Sequence, residues 1–158
     1  MSKPIWGIEN FDLFKGLNVM EIREIKKIAT KVCFEKGDII TEVNTTSREV
    51  YVLIEGRVEI VSLNGISLYR MSNGETFGEL ALVPNIKRTA VAIAREQSWV
   101  LIINIHHLES LGDEFPDINK KVQQNLVQSI AIKLARANKL IEILKKELAK
   151  SLKNSQQV

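Results

Sequence analysis

The sequence predicts an α+β protein in which a central β unit, either a barrel or a sandwich, lies between helical ends. Two observations support this prediction. Short runs rich in Val, Ile and Tyr, separated by glycines, fill residues 34–105. On both sides of that region the apolar residues recur every three or four positions, which is the spacing of an amphipathic helix.

Residues 10–33 form the first predicted helical segment. Apolar residues recur at helical spacing from Val19 to Ala29, and charged residues fill the opposite face. Asp12 and Asn18 can each begin a short helix, because their side chains accept hydrogen bonds from the free N–H groups of a first turn. We therefore expect N-terminal helices over residues 10–33.

Residues 34–105 form the predicted β unit. The apolar pair that flanks Asn64-Gly65 makes this dipeptide the signal of a two-residue hairpin. Evenly spaced short strands with turn residues between them are typical of a barrel or a sandwich. The runs are separated by glycines at four positions: Gly37, Gly56, Gly65 and Gly74.

Residues 106–152 form the predicted C-terminal helices. Pro116 suits the first turn of a helix, and Asp117 complements the helix dipole there. The apolar stripe that follows has coiled-coil spacing and continues close to the C-terminus, where little of the β unit can cover it. We expect it to pair two copies of the chain; the alternative is a helix that packs only on its own β unit. The stripe consists of Val127, Ile130, Leu134, Ala137, Ile141, Leu144 and Leu148.

Length and composition predict one domain over residues 1–158. The chain is 45% apolar and 26% charged, as in ordinary globular proteins. Its single cysteine, Cys33, excludes an internal disulfide framework and suits a reducing compartment. The N-terminus lacks the pattern of a signal peptide, and no apolar run approaches the length of a membrane span. We expect a cytoplasmic protein with no membrane partner.

The net charge of +3 is concentrated at the C-terminal end. Such a basic segment could meet nucleic acid, but it is more often the solvated face of a helix. The segment has no interleaved aromatics, so we expect no nucleic-acid partner. Against Glu142 and Glu147 it carries the following cations: Lys133, Arg136, Lys139, Lys145, Lys146, Lys150 and Lys153.

The stretch FGELALVPNIKRTA, residues 77–90, places two opposite charges in an otherwise apolar run. Gly78 lets a backbone or ligand approach closely, and a helical turn after it would present free N–H groups to an anion. Arg88 offers a planar fork of donors for a phosphate, and Glu79 an acceptor for a hydroxyl. Together these groups suit a sugar phosphate. The alternative is a simple ion pair between Glu79 and Arg88.

The letters F-G-E-L-A-L, followed after five residues by R-T-A, resemble the phosphate-binding cassette of cyclic nucleotide-binding domains. The stretch VYVLIEGRVEIV is similar to the first barrel strands of that family, and FPDINKKVQQNLVQSIAIKLARANK resembles the helices that follow the barrel. The resemblance implies a jelly-roll β-barrel of about eight strands, with flanking N-terminal helices and a long C-terminal helix.

The resemblance also implies roles for single residues. Arg88 should bind the cyclic phosphate, Glu79 should accept from the ribose 2′-hydroxyl, and Thr89 should contact the phosphate or a purine edge. The implied cyclic nucleotide-binding residues are Phe77, Gly78, Glu79, Leu80, Ala81, Arg88, Thr89 and Ala90. The implied base pocket has apolar walls and a cover from the last helix: Ile60, Leu68, Lys133, Arg136 and Asn138.

The function implied by the resemblance is binding of a 3′,5′-cyclic nucleotide, cAMP in the first place and cGMP in the second. We expect a non-catalytic regulator without metal or cofactor, in which the ligand repositions the C-terminal helix and acts on an unidentified effector protein. The chain after the last helix is too short for a DNA-binding module, so we expect a stand-alone sensor or part of a longer protein. The alternative is a dimerisation module with a degenerate pocket.

Overall fold

A computed structural model describes residues 7–157 of the chain. Within this range lie eight strands in two antiparallel four-stranded sheets, flanked by helices, which confirms the predicted fold class. The single-domain prediction for 1–158 also includes residues 1–6 and 158, which lie outside the described residues. The expected absence of a signal peptide also concerns residues 1–6, so this prediction lies in part outside the described residues.

The strands, in chain order, are β1 (Ala29–Phe34), β2 (Ile39–Thr41), β3 (Glu49–Glu55), β4 (Val58–Val61), β5 (Ser67–Arg70), β6 (Thr76–Phe77), β7 (Val91–Ala94) and β8 (Ser98–Asn104). One sheet has the order β1-β8-β3-β6 and the other β2-β7-β4-β5. The α-helices are α1 (Val19–Ile28), α2 (Ile105–Glu114) and α3 (Pro116–Ser155), and short 3-10 helices span Asp12–Phe14 and Glu79–Leu82.

Helix α1 begins as the sequence predicts. Asn18 Oδ1 accepts from the Glu21 N–H at 2.9 Å, and the Glu21 carboxylate accepts from the Asn18 N–H at 2.8 Å, which is a capping box. The prediction of helices up to residue 33 extends too far, because α1 ends at Ile28 and β1 follows at once. β-Branched Thr30 and Val32 favour a strand, and β1 pairs with β8 along its whole length.

The β4–β5 connection differs from the predicted two-residue hairpin. The Gly65 N–H donates to Ser62 O at 3.0 Å, and the Ser62 N–H donates to Ile66 O at 2.8 Å. A two-residue type I′ turn needs positive φ at both central residues, but only Gly65 has it, whereas Asn64 does not. The connection is therefore a longer turn in which Gly65 takes the left-handed position.

Residues 7–157 form two apolar cores. An inter-sheet core joins side chains of both sheets, among them Leu53, Val58 and Val100. A helix-side core packs α1, α2 and the start of α3 on the outer face of β3 and β8. Ile118, Val122 and Leu126 anchor α3 there, with 0 to 1% exposure.

Helix α3 begins at Pro116 with Asp117 in its first turn, as predicted. From Leu126 to Ser155 it extends for about another 45 Å at 1.5 Å per residue. The first third of α3 is thus fixed in the helix-side core, and most of its later side chains are exposed. None of the helices within residues 7–157 combines the length and apolar content that a membrane crossing requires.

Candidate ligand site

A cavity of about 510 Å³ lies between the cassette (residues 77–90), the sheet β2-β7-β4-β5 and helix α3. The predicted site residues that line it are Ile60, Leu68, Phe77, Gly78, Glu79, Leu80, Arg88, Thr89, Ala90, Lys133 and Arg136. Its other lining residues are Thr41, Tyr69, Met71, Ala137, Leu140, Ile141 and Leu144. The fold therefore brings cassette residues and residues of the last helix, distant in sequence, to one cavity.

Two of the predicted residues, Ala81 and Asn138, do not line the cavity. Ala81 packs in the helix-side core with 3% exposure, and its N–H donates to Gly78 O at 3.1 Å. Asn138 is exposed on α3 and is not part of the lining. At about 100° per residue it lies about 140° around the helix from Lys133, which does line the cavity.

The cassette turns at Gly78. Its φ of 79° is left-handed, and the 3-10 helix Glu79–Leu82 starts directly after it. A Cβ at this position would lie 2.5 Å from Arg88 Nη1 and 2.9 Å from Tyr51 Cδ2. Both the backbone conformation and the space therefore require glycine here. The first N–H groups of the 3-10 helix have no partner within the helix and lie at the cavity.

Arg88 is almost completely buried, with 5% exposure. Its Nη2 donates to the carbonyls of Ser47, at 3.3 Å, and Glu49, and its guanidinium lies 5.6 Å from the Tyr51 ring centre. Burial lowers the pKa of the Arg88 guanidinium from its ordinary value. Among the described residues, Arg88 Nη1 is a buried side-chain nitrogen without a hydrogen-bond partner. A buried donor without an acceptor costs free energy, so a bound group that offers Arg88 Nη1 an acceptor would remove this cost.

The alternative of a Glu79–Arg88 ion pair is wrong. Glu79 has 8% exposure, and its Oε1 accepts from Ser129 Oγ at 2.8 Å and from Lys133 Nζ. Arg88 instead donates to main-chain carbonyls just before and at the start of β3. Lys133 was expected to cover the base, but the structure places its ammonium on the Glu79 carboxylate and the Thr76 carbonyl.

Tyr51 lies beside Arg88 and Gly78 at the cassette side of the cavity, and the sequence did not indicate it. Its ring stacks on Phe77 with centroids 5.0 Å apart, and its hydroxyl donates to Glu49 Oε2 at 2.9 Å. Burial, together with the hydrogen bond to Glu49, raises the pKa of Tyr51 to about 12. The alternation of Glu49, Tyr51 and Leu53 along β3 places these side chains on one face, which is the signal that could have identified Tyr51.

The distal wall of the cavity was also missed. Leu140, Ile141 and Leu144 lie on α3, and Ile141 and Leu144 belong to the stripe that predicted a dimer seam. They follow Lys133 at helical spacing, so they lie on the same face of α3 as that residue. That spacing is a signal that could have placed them at the cavity.

Arg136 lines the cavity from α3. Its Nη1 donates to Tyr69 Oη at 2.7 Å and approaches Glu75 Oε1 at 3.4 Å. Tyr69 Oη in turn donates to Glu75 Oε1 at 2.7 Å, and the Ser72 N–H donates to Glu75 Oε2 at 2.8 Å. This network links α3 to β5 and to the turn before β6.

The histidines and the acids of the described chain offer little for metal chemistry. Among residues 7–157 no group of three or more His, Cys, Asp or Glu side chains is arranged to hold a metal ion. His106 Nδ1 lies 3.5 Å from Glu109 on the surface of α2. Glu109 also accepts from Arg48, whose Nε donates to the carbonyl of Ala81 in the cassette at 2.7 Å.

A family model described as "Cyclic nucleotide-binding domain" matches residues 31–115 of the chain. This range includes the whole cassette and ends before α3. The match confirms the resemblance that the cassette letters suggested.

Two curated proteins illustrate the relatives. The Pycsar effector protein BcPycTIR of Burkholderia cepacia is 32% identical over 104 residues, which are 65% of this chain and 34% of that protein. Glutaminase 1 of Bradyrhizobium diazoefficiens is 26% identical over 132 residues, which are 84% of this chain and 21% of that protein. The chain thus spans about a third or less of the length of these relatives.

Solved structures show the same fold. The catabolite activator protein of Thermus thermophilus aligns with a TM-score of 0.70 and 25% identity, over 85% of this chain and 63% of that one. A cyclic nucleotide-binding domain from Methylobacillus flagellatus aligns with a TM-score of 0.76 and 15% identity, over 85% of this chain and 78% of that one.

Proposed function

The chain belongs to the cyclic nucleotide-binding domain family, and from that premise we propose that it binds a 3′,5′-cyclic purine nucleotide, cAMP before cGMP, in the main cavity. The observation that carries the proposal is Arg88 Nη1, a buried donor without a partner. It lies 2.5 Å from the position that a Cβ on Gly78 would occupy, next to the free N–H groups of the cassette turn. A cyclic phosphate supplies the anionic acceptors that this group needs.

Glu79 is the proposed partner of the ribose. Its carboxylate lines the cavity beside Gly78 and can accept a hydrogen bond from the 2′-hydroxyl. The phosphate and the 2′-hydroxyl lie on the same sugar, and so do their proposed partners on one short cassette turn. This arrangement supports recognition of a nucleotide rather than of a free anion.

The apolar side chains of the sheet and of α3 are the proposed contacts of the base. The cavity is lined by Ile60 and Leu68 of the sheet and by Leu140, Ile141 and Leu144 of α3. A base between these side chains loses hydration at its polar edge, and each unmet donor or acceptor costs free energy. Adenine has fewer such groups than guanine, which supports cAMP over cGMP. Thr89 and Arg136 are the polar side chains available to meet the base edge.

Thermal unfolding in the presence of nucleotides tests the proposed ligand. A ligand that binds only the folded state raises the midpoint of unfolding, by an amount that grows with its concentration over Kd. We expect a clear rise with cAMP, a smaller rise with cGMP, and none with 5′-AMP, whose phosphate is not cyclic. A larger rise with cGMP would contradict the assignment of the base, and equal rises with cAMP and 5′-AMP would contradict recognition of the cyclic phosphate.

We propose a regulatory role in which ligand binding repositions the distal part of α3. The start of this helix is fixed in the helix-side core, whereas six residues between Lys133 and Leu144 line the cavity. Because Ile118, Val122 and Leu126 hold the start of α3 in that core, the bend that this motion requires lies after Leu126. Because a ligand shifts only an equilibrium between states that bind it differently, the two helix positions must differ in how they close the cavity. The effector that senses this change is a further protein or domain.

We also propose that the exposed stripe of α3 pairs two copies of the chain. Leu134 and Leu148 are 60% and 61% exposed, and they lie outside the cavity lining. An exposed apolar stripe of this length at coiled-coil spacing favours association along a helix. Ala137, Ile141 and Leu144 belong both to the stripe and to the cavity wall, so dimerisation and ligand binding share one helix face.

Glutamate at positions 134 and 148 tests the dimer. Charges at two seam positions must be desolvated in a coiled coil, so we expect Leu134→Glu/Leu148→Glu to weaken the dimer by about a hundredfold or more. Light scattering measures the mass. The matched control is Ile143→Glu, an exposed apolar residue about 200° around α3 from Ile141, and it should remain dimeric. A monomer mass for the wild-type protein at micromolar concentration would contradict the proposed dimer.

A further inference from the structure

We infer that Ser129 and Lys133 are positioning residues for ribose recognition: they hold one oxygen of the Glu79 carboxylate from α3 and leave the other oxygen for the ligand. This inference rests on the proposed function, since it concerns how the same site reads the sugar. It also assigns Lys133 a role at the ribose rather than at the base.

The first support is the geometry of the three side chains. Ser129 Oγ donates to Glu79 Oε1 at 2.8 Å, and Lys133 Nζ donates to the same oxygen. Ser129 and Lys133 are four residues apart on α3, so their side chains lie on one face of the helix, one turn apart. Lys133 Nζ also donates to the carbonyl of Thr76, which ties the ammonium to β6. The carboxylate is thus held by two donors that themselves have defined positions.

The second support is the direction from which these donors come. Ser129 lines a smaller polar cleft of about 150 Å³, whereas Glu79 lines the main cavity. Lys133 lines both, so it lies at the boundary between them. Glu79 Oε1 is therefore bound from the side of the cleft. Within residues 7–157, Glu79 Oε2 has no hydrogen-bond partner and is not among the side-chain atoms buried without one, so it is accessible to a ligand.

The third support is electrostatic. Glu79 has 8% exposure, and a carboxylate so far removed from water is stable when a cation and hydrogen-bond donors compensate its charge. Lys133 supplies that cation without occupying the oxygen that the ribose would use. A ribose 2′-hydroxyl can then donate to Oε2 without displacing Ser129 or Lys133 from Oε1.

This arrangement has a consequence for signalling. The ribose, the Glu79 carboxylate and α3 form one continuous chain of hydrogen bonds, so contact with the 2′-hydroxyl is transmitted to the helix that we propose to move. Two other roles of Lys133 make different predictions. A lysine that covers the base would act on every nucleotide with that base, and a lysine that blocks the sugar site would weaken binding.

The experiment compares cAMP with 2′-deoxyadenosine 3′,5′-cyclic monophosphate by calorimetry. We expect wild-type protein to prefer cAMP by about tenfold or more, the equivalent of one hydrogen bond to a charged group. Lys133→Met should lower the affinity for cAMP by about tenfold and leave that for the deoxy nucleotide within about threefold, so that the preference nearly disappears. Ser129→Ala should reduce the preference in the same direction, and Lys133→Arg should keep most of it.

Lys139→Met is the matched control, because this exposed lysine on the same helix lies outside both cavities. Thermal unfolding without ligand checks that each variant is folded, and Ser129→Ala carries the test if Lys133→Met is not. An equal loss of affinity for both nucleotides, or a gain for cAMP, overturns the positioning role. If wild-type protein binds cAMP and Lys133→Met keeps the preference, this inference alone fails. If wild-type protein binds neither nucleotide, the proposed function fails and the inference with it.

Discussion

Alanine at position 88 is expected to lower the affinity for the cyclic nucleotide by about a hundredfold or more. Arg88 presents a buried guanidinium whose Nη1 has no partner, beside the N–H groups of the cassette turn. Hydrogen bonds between a guanidinium and a phosphate are charge-assisted and act here with little water, so the loss of this group costs about 3–5 kcal/mol of binding. Lysine at this position keeps the charge but loses the planar fork, so Arg88→Lys should recover only part of the affinity.

The Arg88→Ala protein should still fold. Its guanidinium is desolvated in the wild-type protein, and that cost disappears together with the hydrogen bonds to the Ser47 and Glu49 carbonyls. Calorimetry measures the affinity and thermal unfolding the stability. Arg95→Ala is the control. Arg95 forms an exposed ion pair with Glu59 at an N–O distance of 3.2 Å, and it does not line the cavity. Affinity of Arg88→Ala within about threefold of wild type would contradict the role given to Arg88.

Alanine at position 78 is expected to lower both affinity and stability. The residue has a left-handed φ of 79°, which costs an alanine about 1 kcal/mol. A Cβ would also lie 2.5 Å from Arg88 Nη1, 2.9 Å from Tyr51 Cδ2 and 3.2 Å from the Glu49 carbonyl. Two of these neighbours are a ring and a main-chain oxygen, which cannot simply turn away. We expect Gly78→Ala to lose about 3 kcal/mol of stability in total and most of its nucleotide affinity.

Gly65→Ala is a close control for this substitution. Gly65 has a φ of 78°, nearly the same as Gly78, but a Cβ there would have nothing within 4 Å. The backbone cost is therefore shared, and the difference between the two variants reports the contacts at the cassette. We expect Gly65→Ala to lose about 1 kcal/mol of stability and to bind the nucleotide like wild type. Equal stability losses in the two variants would contradict the close approach of Arg88 and Tyr51 to Gly78.

The cassette could be predicted from the sequence because it is local. Gly78, Glu79 and Arg88 lie within one stretch of the chain, and their spacing alone suggested an anion site next to a hydroxyl acceptor. The partner of Glu79 could not be predicted in this way. Lys133 lies 54 residues further on, and only the packing of α3 across the cassette brings its ammonium to the carboxylate. The same holds for the Ser47 and Glu49 carbonyls that hold Arg88, since a main-chain acceptor leaves no trace in residue type.

Hydrophobic periodicity predicted the fold class. It did not predict where α1 ends, the form of the β4–β5 turn or the two environments of the α3 stripe. Ala29 continues the helical spacing of α1, although pairing with β8 makes it the first residue of β1. Asn64-Gly65 is the usual signal of a two-residue hairpin, but the strand register selects a longer turn. The stripe of α3 has one spacing and two environments. Ile141 and Leu144 line the cavity, whereas Leu134 and Leu148 remain outside it, and periodicity cannot separate these roles.

Isothermal titration calorimetry of the wild-type protein with cAMP tests the central claim most directly, because it needs no variant and no assumption about α3. We expect saturable binding with one nucleotide per chain and a dissociation constant in about the micromolar range or below, while 5′-AMP binds at least about a hundredfold more weakly. If neither cAMP nor cGMP produces binding at concentrations up to about 1 mM, the cavity at Arg88 and Glu79 is not a cyclic nucleotide site.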